Sequence, residues 1–332
     1  MIIKSVELVN FRNHTQYKLE CTEATSLILG QNGCGKTSVL EAIYILMRGK
    51  SFRAVDAEII KRGEEFYRAE LNYYNGEKIV ATYDGKTKWF VTTEKKNKRL
   101  PRKNRYPVVL FLPSDLHLMS ASPTSRREYF DRILGQLNEN YSSSLSRYEK
   151  ALRQRNELLK TEAVSRSSMF SWNILLAKYG VEIERARQSF VGEINKRLTE
   201  VYRTIAKNQD RVELVLETQV GVMTEDEYLN RLEQDFERDK ILTHTGFGVH
   251  RDDMKFYFND KLADGSASRG EVRSIILALK FIEADLIKEK LRLQPVVLLD
   301  DVFSELDEIR RRCLVENFKN NQVIITSVDA TQ

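Results

Sequence analysis

Apolar and polar residues alternate with a period of two in "IIKSVELVNF" (2–11), "TSLILG" (25–30), "YRAELNYY" (67–74) and "KIVATYDGKTKWFVTT" (78–93). Alternation of this kind predicts half-buried strands, and the Asp84–Gly85 pair inside the last segment predicts a hairpin. From Pro113 to about Lys240 the pattern changes to charged, glycine-poor sequence of helical texture. A first helix is predicted over roughly 124–160. A second carries one stripe through Trp172, Leu176, Tyr179, Ile183, Ala186, Phe190, Ile194, Leu198, Val201 and Ile205. The stripe's mean period of about 3.67 residues is that of a straight helix packed on a neighbour, not of a sustained heptad supercoil. After "THTGFGVHRDD" (243–253) strand and helix patterns return, closing on "PVVLLDD" (295–301) and "QVIITSV" (322–328), short apolar runs of the kind that form buried parallel strands. The expected organisation is an α/β head made of 1–113 with 241–332, and a helical arm of 114–240 inserted in it.

Within that frame, "GQNGCGKT" (30–37) has the spacing G-x-x-x-x-G-K-S/T between an apolar strand and an apolar helix, the context a phosphate loop requires. Gly30, Gly33 and Gly35 let the backbone wind so that N–H groups of Gln31, Asn32 and Cys34 point at phosphates. The helix N-terminus at Ser38 adds a favourable dipole end. Lys36 is placed to bridge the β- and γ-phosphates of ATP, and Thr37 to offer a hydroxyl to Mg²⁺. The second element is "VVLLDDVFSELD" (296–307), where a buried strand ends in two carboxylates. Asp300 is expected at the metal and Asp301 at the attacking water.

Composition narrows the class without naming it. Among 332 residues 42% are hydrophobic and 30% charged, which fits a globular chain with a sizeable core. No apolar run reaches the roughly 20 residues of a membrane span. The strand-like opening does not read as a signal peptide, so a cytoplasmic location without membrane attachment is expected. The three cysteines, Cys21, Cys34 and Cys313, show neither metal-ligand nor disulfide spacing. A net charge of +5 is compatible with nucleic acid without requiring it.

Positive charge is concentrated in "KKNKRLPRKNR": Lys95, Lys96, Lys98, Arg99, Arg102, Lys103 and Arg105, with no acid between them. Such a run can follow a phosphodiester backbone irrespective of sequence; a solvated hairpin loop is the alternative. Arg126, Arg127, Arg147, Lys150, Arg153 and Arg155 add charge to the arm. No aromatic residue interleaves with the run, so backbone recognition of duplex or gapped DNA is expected rather than base stacking.

"GSASRGEVRS" (265–274) opens a long apolar helix and holds the S-x-x-E spacing of a capping box at Ser268 and Glu271. Together with "VELVNFRNH", "GQNGCGKTSVLEAI", "ASRGEVRSIILALK" and "LLDDVFSELD", it resembles the ATPase head of the SMC and ABC superfamily. "VVLFLPSDLHLM", "SPTSRREYFDRIL", "RYEKALRQRNELLK", "GVHRDDM" and "QVIITSVD" are similar in particular to the RecF family of bacterial DNA replication and repair proteins, over essentially the whole chain. The resemblance implies a head and a helical lobe without the long coiled coil of SMC proteins. It implies an ATP-dependent homodimer in which Ser268 and Gly270 meet the nucleotide bound by the other copy, with Asp307 at the dimer interface. It further implies slow ATP hydrolysis, action in recombinational repair at single-strand gaps, and the mediators RecR and RecO as partners. An ATPase subunit of a transporter or another SMC-like complex is the alternative. The chain departs from the pattern where Asp301 replaces the usual glutamate and where no glutamine follows "VVLFL", leaving Asp115 as a substitute. His250 is either near the nucleotide or part of a polar network.

Overall fold

The computed structural model describes residues 1–93, 95–162 and 164–328. Two compact units emerge, Met1–Leu116 with the described chain from Glu283 onwards, and His117–Ile282.

In the first unit the alternating segments form the expected strands: β1 (Ile3–Phe11), β2 (His14–Glu20), β3 (Thr25–Leu29), β4 (Tyr67–Tyr73), β5 (Lys78–Tyr83), β6 (Lys88–Thr92), β7 (Lys96–Asn97) and β8 (Val108–Phe111). Six of them make an antiparallel sheet of order β2-β1-β4-β5-β6-β7. The period-two pattern puts Val6, Leu8, Ala69, Leu71, Ala81 and Phe90 on the inner face, all fully buried. Against them lies helix α1 (Lys36–Arg48), whose Leu40, Ile43 and Met47 are also fully buried. A helix apolar on nearly every side must be covered on every side. The second cover of α1 is the parallel sheet described below.

The second unit holds α2 (Pro123–Leu137), α3 (Glu139–Leu159), α4 (Arg166–Ala206), β9 (Val212–Glu217), α5 (Glu225–Gln234), α6 (Phe236–Leu242), β10 (Asp253–Phe258), β11 (Lys261–Leu262) and the single turn α7 (Ala263–Ser266). Its stripe helix α4 is 41 residues long, about 60 Å at 1.5 Å per residue. The helix expected over 124–160 is broken at Asn138, which is extended (φ −140°) and caps α3 by accepting from the N–H groups of Asn140 and Tyr141. The boundary expected near 240 is absent as well, because β10 pairs antiparallel with β9 along its whole length and keeps 241–282 with this unit.

Buried polar groups tie the second unit together. Arg155 is fully buried and donates to Asp239 (2.7 Å) and Asn173 (2.8 Å). Arg126 holds both oxygens of Asp253 at 2.7 Å, and Arg187 pairs with Asp131 and Asp252. Arg126 and Arg155 are therefore internal cations and not part of a charged arm surface, whereas Arg147, Lys150 and Arg153 are exposed. His250 belongs to the same kind of network. Its Nε2 faces the Thr245 carbonyl (3.0 Å), so Nε2 carries the proton and Nδ1 accepts from the Tyr148 hydroxyl (2.8 Å). Burial pushes the His250 pKa down to about 4.

Helix α8 (Arg269–Leu291) leads back to the first unit, which closes with β12 (Val296–Asp300), α9 (Glu308–Phe318) and β13 (Val323–Ser327). The parallel sheet has the order β3-β13-β12-β8. Asp329, the last residue of "QVIITSVD", lies outside the described residues. All four strands point the same way, so the carboxyl ends of β3, β13 and β12 meet at one edge, the usual ligand edge of a parallel sheet.

Candidate phosphate-binding site

The chain leaves β3 at Leu29, turns through residues 30–35 and enters α1 at Lys36. Gly33 (φ 82°) and Gly35 (φ 100°) take left-handed backbone that side-chain-bearing residues rarely adopt. Gly35 is also held close: a Cβ there would sit 2.5 Å from His14 Nε2. His14 contacts the Gly35 carbonyl at 3.1 Å, and Asn13 Nδ2 donates to the Gly33 carbonyl at 2.9 Å. The turn between β1 and β2 thus clamps the loop from outside. Gln31, Asn32 and Cys34 stay exposed.

Lys36 is buried, and its ammonium donates to the carbonyls of Gly30 (2.6 Å) and Gln31 (3.0 Å). An ammonium has three hydrogens, so one remains for a ligand oxygen. Thr37 Oγ1 lies 2.9 Å from both oxygens of Asp300 at the end of β12. Between them in the sheet, Thr326 of β13 donates to Asp300 (2.9 Å) and accepts from the Asp301 N–H (2.9 Å). The strand order therefore joins the glycine loop and the acidic strand end through one threonine that the sequence alone did not single out.

Asp301 has left-handed backbone (φ 50°) and one buried carboxylate oxygen that finds no hydrogen-bond donor among the described residues. Burial raises its pKa, the Lys36 charge opposes that, and Asp300 and Glu305 add to the rise. Asp301 lines a cavity, and a carboxylate there with a raised pKa is suited to accept a proton.

Lys36, Thr37, Asp300 and Asp301 line this cavity of about 520 Å³ together with Arg12 and Arg53. Both guanidiniums converge on Glu41 of α1, which is fully buried: Arg12 donates to it at 2.8 and 2.9 Å, Arg53 at 2.8 and 3.0 Å, and Ser51 at 2.6 Å. Burial alone would raise the Glu41 pKa; the bonds from Arg12, Arg53 and Ser51 outweigh it and hold the carboxyl below its usual range. The motif around "NFRNH" gives no hint of a role for Arg12 or Arg53, since their convergence on Glu41 is set by the tertiary fold. Glu41→Ala is expected to cost about 2 kcal/mol of stability, because half-buried Arg12 and exposed Arg53 lose the charge-assisted bonds to their shared buried partner. A depressed carboxylate stabilises above its unfolded pKa, so chemical denaturation should show the wild-type advantage at neutral pH and its loss as the solution is acidified below about pH 4.

The remaining expected site residues lie elsewhere. Ser268 and Gly270 belong to the second unit. The capping box is formed, with Glu271 Oε2 accepting from the Ser268 N–H (2.6 Å) and Ser268 Oγ accepting from the Glu271 N–H (3.4 Å). Gly270 sits in the first turn of α8, and the left-handed glycine of the segment is Gly265 (φ 89°), so no tight turn depends on Gly270. Asp307 caps α9, accepting from the Arg310 N–H at 2.9 Å. Asp115 is buried and accepts from the Leu112 N–H (3.1 Å). None of the seven basic residues of 95–105 lines the cavity. Lys95, Lys96, Lys98 and Arg99 are exposed at the β6–β7 hairpin, Arg102 and Lys103 are exposed on the short 3₁₀ turn after it, and Arg105 is half-buried, donating to the Leu100 carbonyl.

Residues 1–241 match the family described as AAA ATPase domain. The chain is 33% identical over its full length to the DNA replication and repair protein RecF of Clostridioides difficile, covering 92% of that protein. It belongs to the RecF family. A second RecF, from Moorella thermoacetica, is 35% identical over 95% of this chain and 86% of its own length. A solved structure of the recombination mediator protein RecF with ATP, in the RecFOR pathway, matches with a TM-score of 0.89 at 28% identity, covering 100% of this chain and 93% of that one. The SMC head domain of Pyrococcus furiosus, with a TM-score of 0.52 at 16% identity over 99% of this chain and 90% of that one, shares the fold. The α/β fold is thus that of RecF and of SMC heads, and no long coiled coil occurs among the described residues. No helix among them is long and apolar enough to cross a membrane.

Proposed function

We propose that this RecF-family chain is an ATP-dependent DNA-binding protein of recombinational repair and replication-gap processing. ATP binding closes two copies head to head on DNA, and slow hydrolysis releases them. The observation that carries the reading is the set Lys36, Thr37, Asp300 and Asp301 around one cavity at the carboxyl edge of a parallel sheet. The RecF structure determined with ATP supports the choice of nucleotide.

Lys36 and the loop N–H groups bind the phosphates, and the β1–β2 turn keeps the loop in register for them. The paired hydroxyl and carboxylate of Thr37 and Asp300 are hard oxygen donors, and no cluster of three or more acidic, histidine or cysteine side chains stands ready as a metal cage among the described residues. That combination fits Mg²⁺, which takes one or two protein oxygens and fills its remaining sites with phosphate and water. Held by Thr37 and Asp300, Mg²⁺ would supply positive charge against the phosphate oxygens. Asp301, which lines the same cavity, orients the attacking water and takes its proton.

In the dimer, Ser268 and the first-turn N–H groups of α8, including that of Gly270, meet the γ-phosphate held by the other copy, and Asp307 lies at the interface. Ser268 is exposed, and its hydroxyl is only loosely engaged at 3.4 Å, so exchanging its cap for a phosphate contact costs little. DNA is met through the basic run 95–105, without base sequence. RecR, and with it RecO, are the mediators this protein would serve in loading recombinase. Ser268→Arg tests the trans contact: ATP binding by equilibrium dialysis should persist while ATP-induced dimerisation and turnover fall at least tenfold. If all three persist, Ser268 is a helix cap and nothing more.

A further inference from the structure

The hairpin register brings to the basic run something its sequence lacks. In β6 and β7, Val91 pairs with Lys96 and Phe90 with Asn97. Side chains alternate along a strand, so Trp89, two residues before Val91, shares its face with Lys96 and with Lys98 beyond the strand end. The Lys96 ammonium stands 4.6 Å, and that of Lys98 5.7 Å, from the centroid of the Trp89 ring. Val91 on the same face is 38% exposed.

Elsewhere on this side of the sheet the charges are mixed: Glu70 pairs with Arg68 and Lys78, and Glu7 and Glu20 share Lys18. Among the described residues, Lys96 and Lys98 have no carboxylate within ion-pair distance. The sheet end thus presents an indole beside two cations that no described carboxylate pairs, which is complementary to a polyanion that also carries flat rings.

We propose that Trp89, Lys96 and Lys98 form a stacking site for single-stranded DNA, the indole receiving an unpaired base and the lysines its flanking phosphates. This rests on the reading that the basic run meets DNA and names the strand it meets. Bases of a duplex are already stacked and paired; only an unpaired base can offer its face to a side chain. An ammonium over a half-exposed ring is a weaker partner than a stacked base, so the lysines can give up the ring for phosphates.

The chain has two tryptophans, so Trp172→Phe leaves Trp89 as the sole indole. Its emission should be quenched on titration with oligothymidylate and stay unchanged with a blunt duplex. In the otherwise wild-type chain, Trp89→Ala should weaken oligothymidylate binding about tenfold, Trp89→Phe much less, and duplex binding should not change. Emission unmoved by oligothymidylate, or equal losses on both ligands, overturns the stacking site. Joint replacement of Lys95, Lys96, Lys98 and Arg99 by Gln separates the two readings. Loss of binding there with no effect of Trp89→Ala rejects stacking alone, whereas no loss on either ligand rejects the basic run as a DNA surface.

Discussion

Asp301→Asn is expected to bind ATP and dimerise normally while its turnover number falls by about 10²- to 10⁴-fold, the range that a positioned general base contributes. The amide keeps the size of the side chain and the left-handed backbone at this position, which Asn tolerates well. It removes only the capacity to take a proton. Burial and the neighbouring Asp300 raise the pKa of Asp301, and the charge of Lys36 opposes the rise. Wild-type turnover should decline on acidification as Asp301 is protonated, and the residual rate of Asp301→Asn should lack that acid limb. Phosphate release measured across pH checks both; a normal rate in the variant removes Asp301 from the chemistry.

Lys36→Met is expected to weaken ATP binding by about two orders of magnitude or more, and with it to abolish ATP-induced dimerisation. A charge-assisted bond to phosphate contributes roughly 1.5–3 kcal/mol. Further loss follows from the loop itself, because the Lys36 ammonium also ties the carbonyls of Gly30 and Gln31 together. Methionine fills the stem but leaves both carbonyls without that donor. The fold should survive, since the core around Leu40, Ile43 and Met47 is built from the other turns of α1. Nucleotide titration followed by sedimentation decides; an ATP-dependent dimer in Lys36→Met would move the phosphate contact to other groups.

The phosphate loop was legible in the sequence because its chemistry is local: three glycines, a lysine and a threonine within one turn, between an apolar strand and an apolar helix. The hairpin at Asp84–Gly85 and the strands β12 and β13 were legible for the same reason. What escaped depends on pairing across the fold. Thr326 reaches Asp300 only because β13 lies between β3 and β12. Arg12 and Arg53 meet at Glu41 from separate turns, and Trp89 lies under Lys96 and Lys98 through strand register. Charge counting misled in the helical segment, where Arg126 and Arg155 looked like surface cations but are bound to Asp253 and Asp239 inside the unit. Periodicity also passed over Asn138, since a break of one residue hardly disturbs an apolar stripe while its side chain starts a new helix.

The capping box of Ser268 is complete within one copy, whereas the phosphate contact proposed for it needs two. The central claim is that ATP, and not ADP, joins two heads. Mass determination in solution of the slow-turnover Asp301→Asn protein, with Mg²⁺ and either nucleotide, tests it most directly. The account predicts a dimer with ATP and a monomer with ADP; a monomer with both, at ATP concentrations that saturate the site, would contradict it.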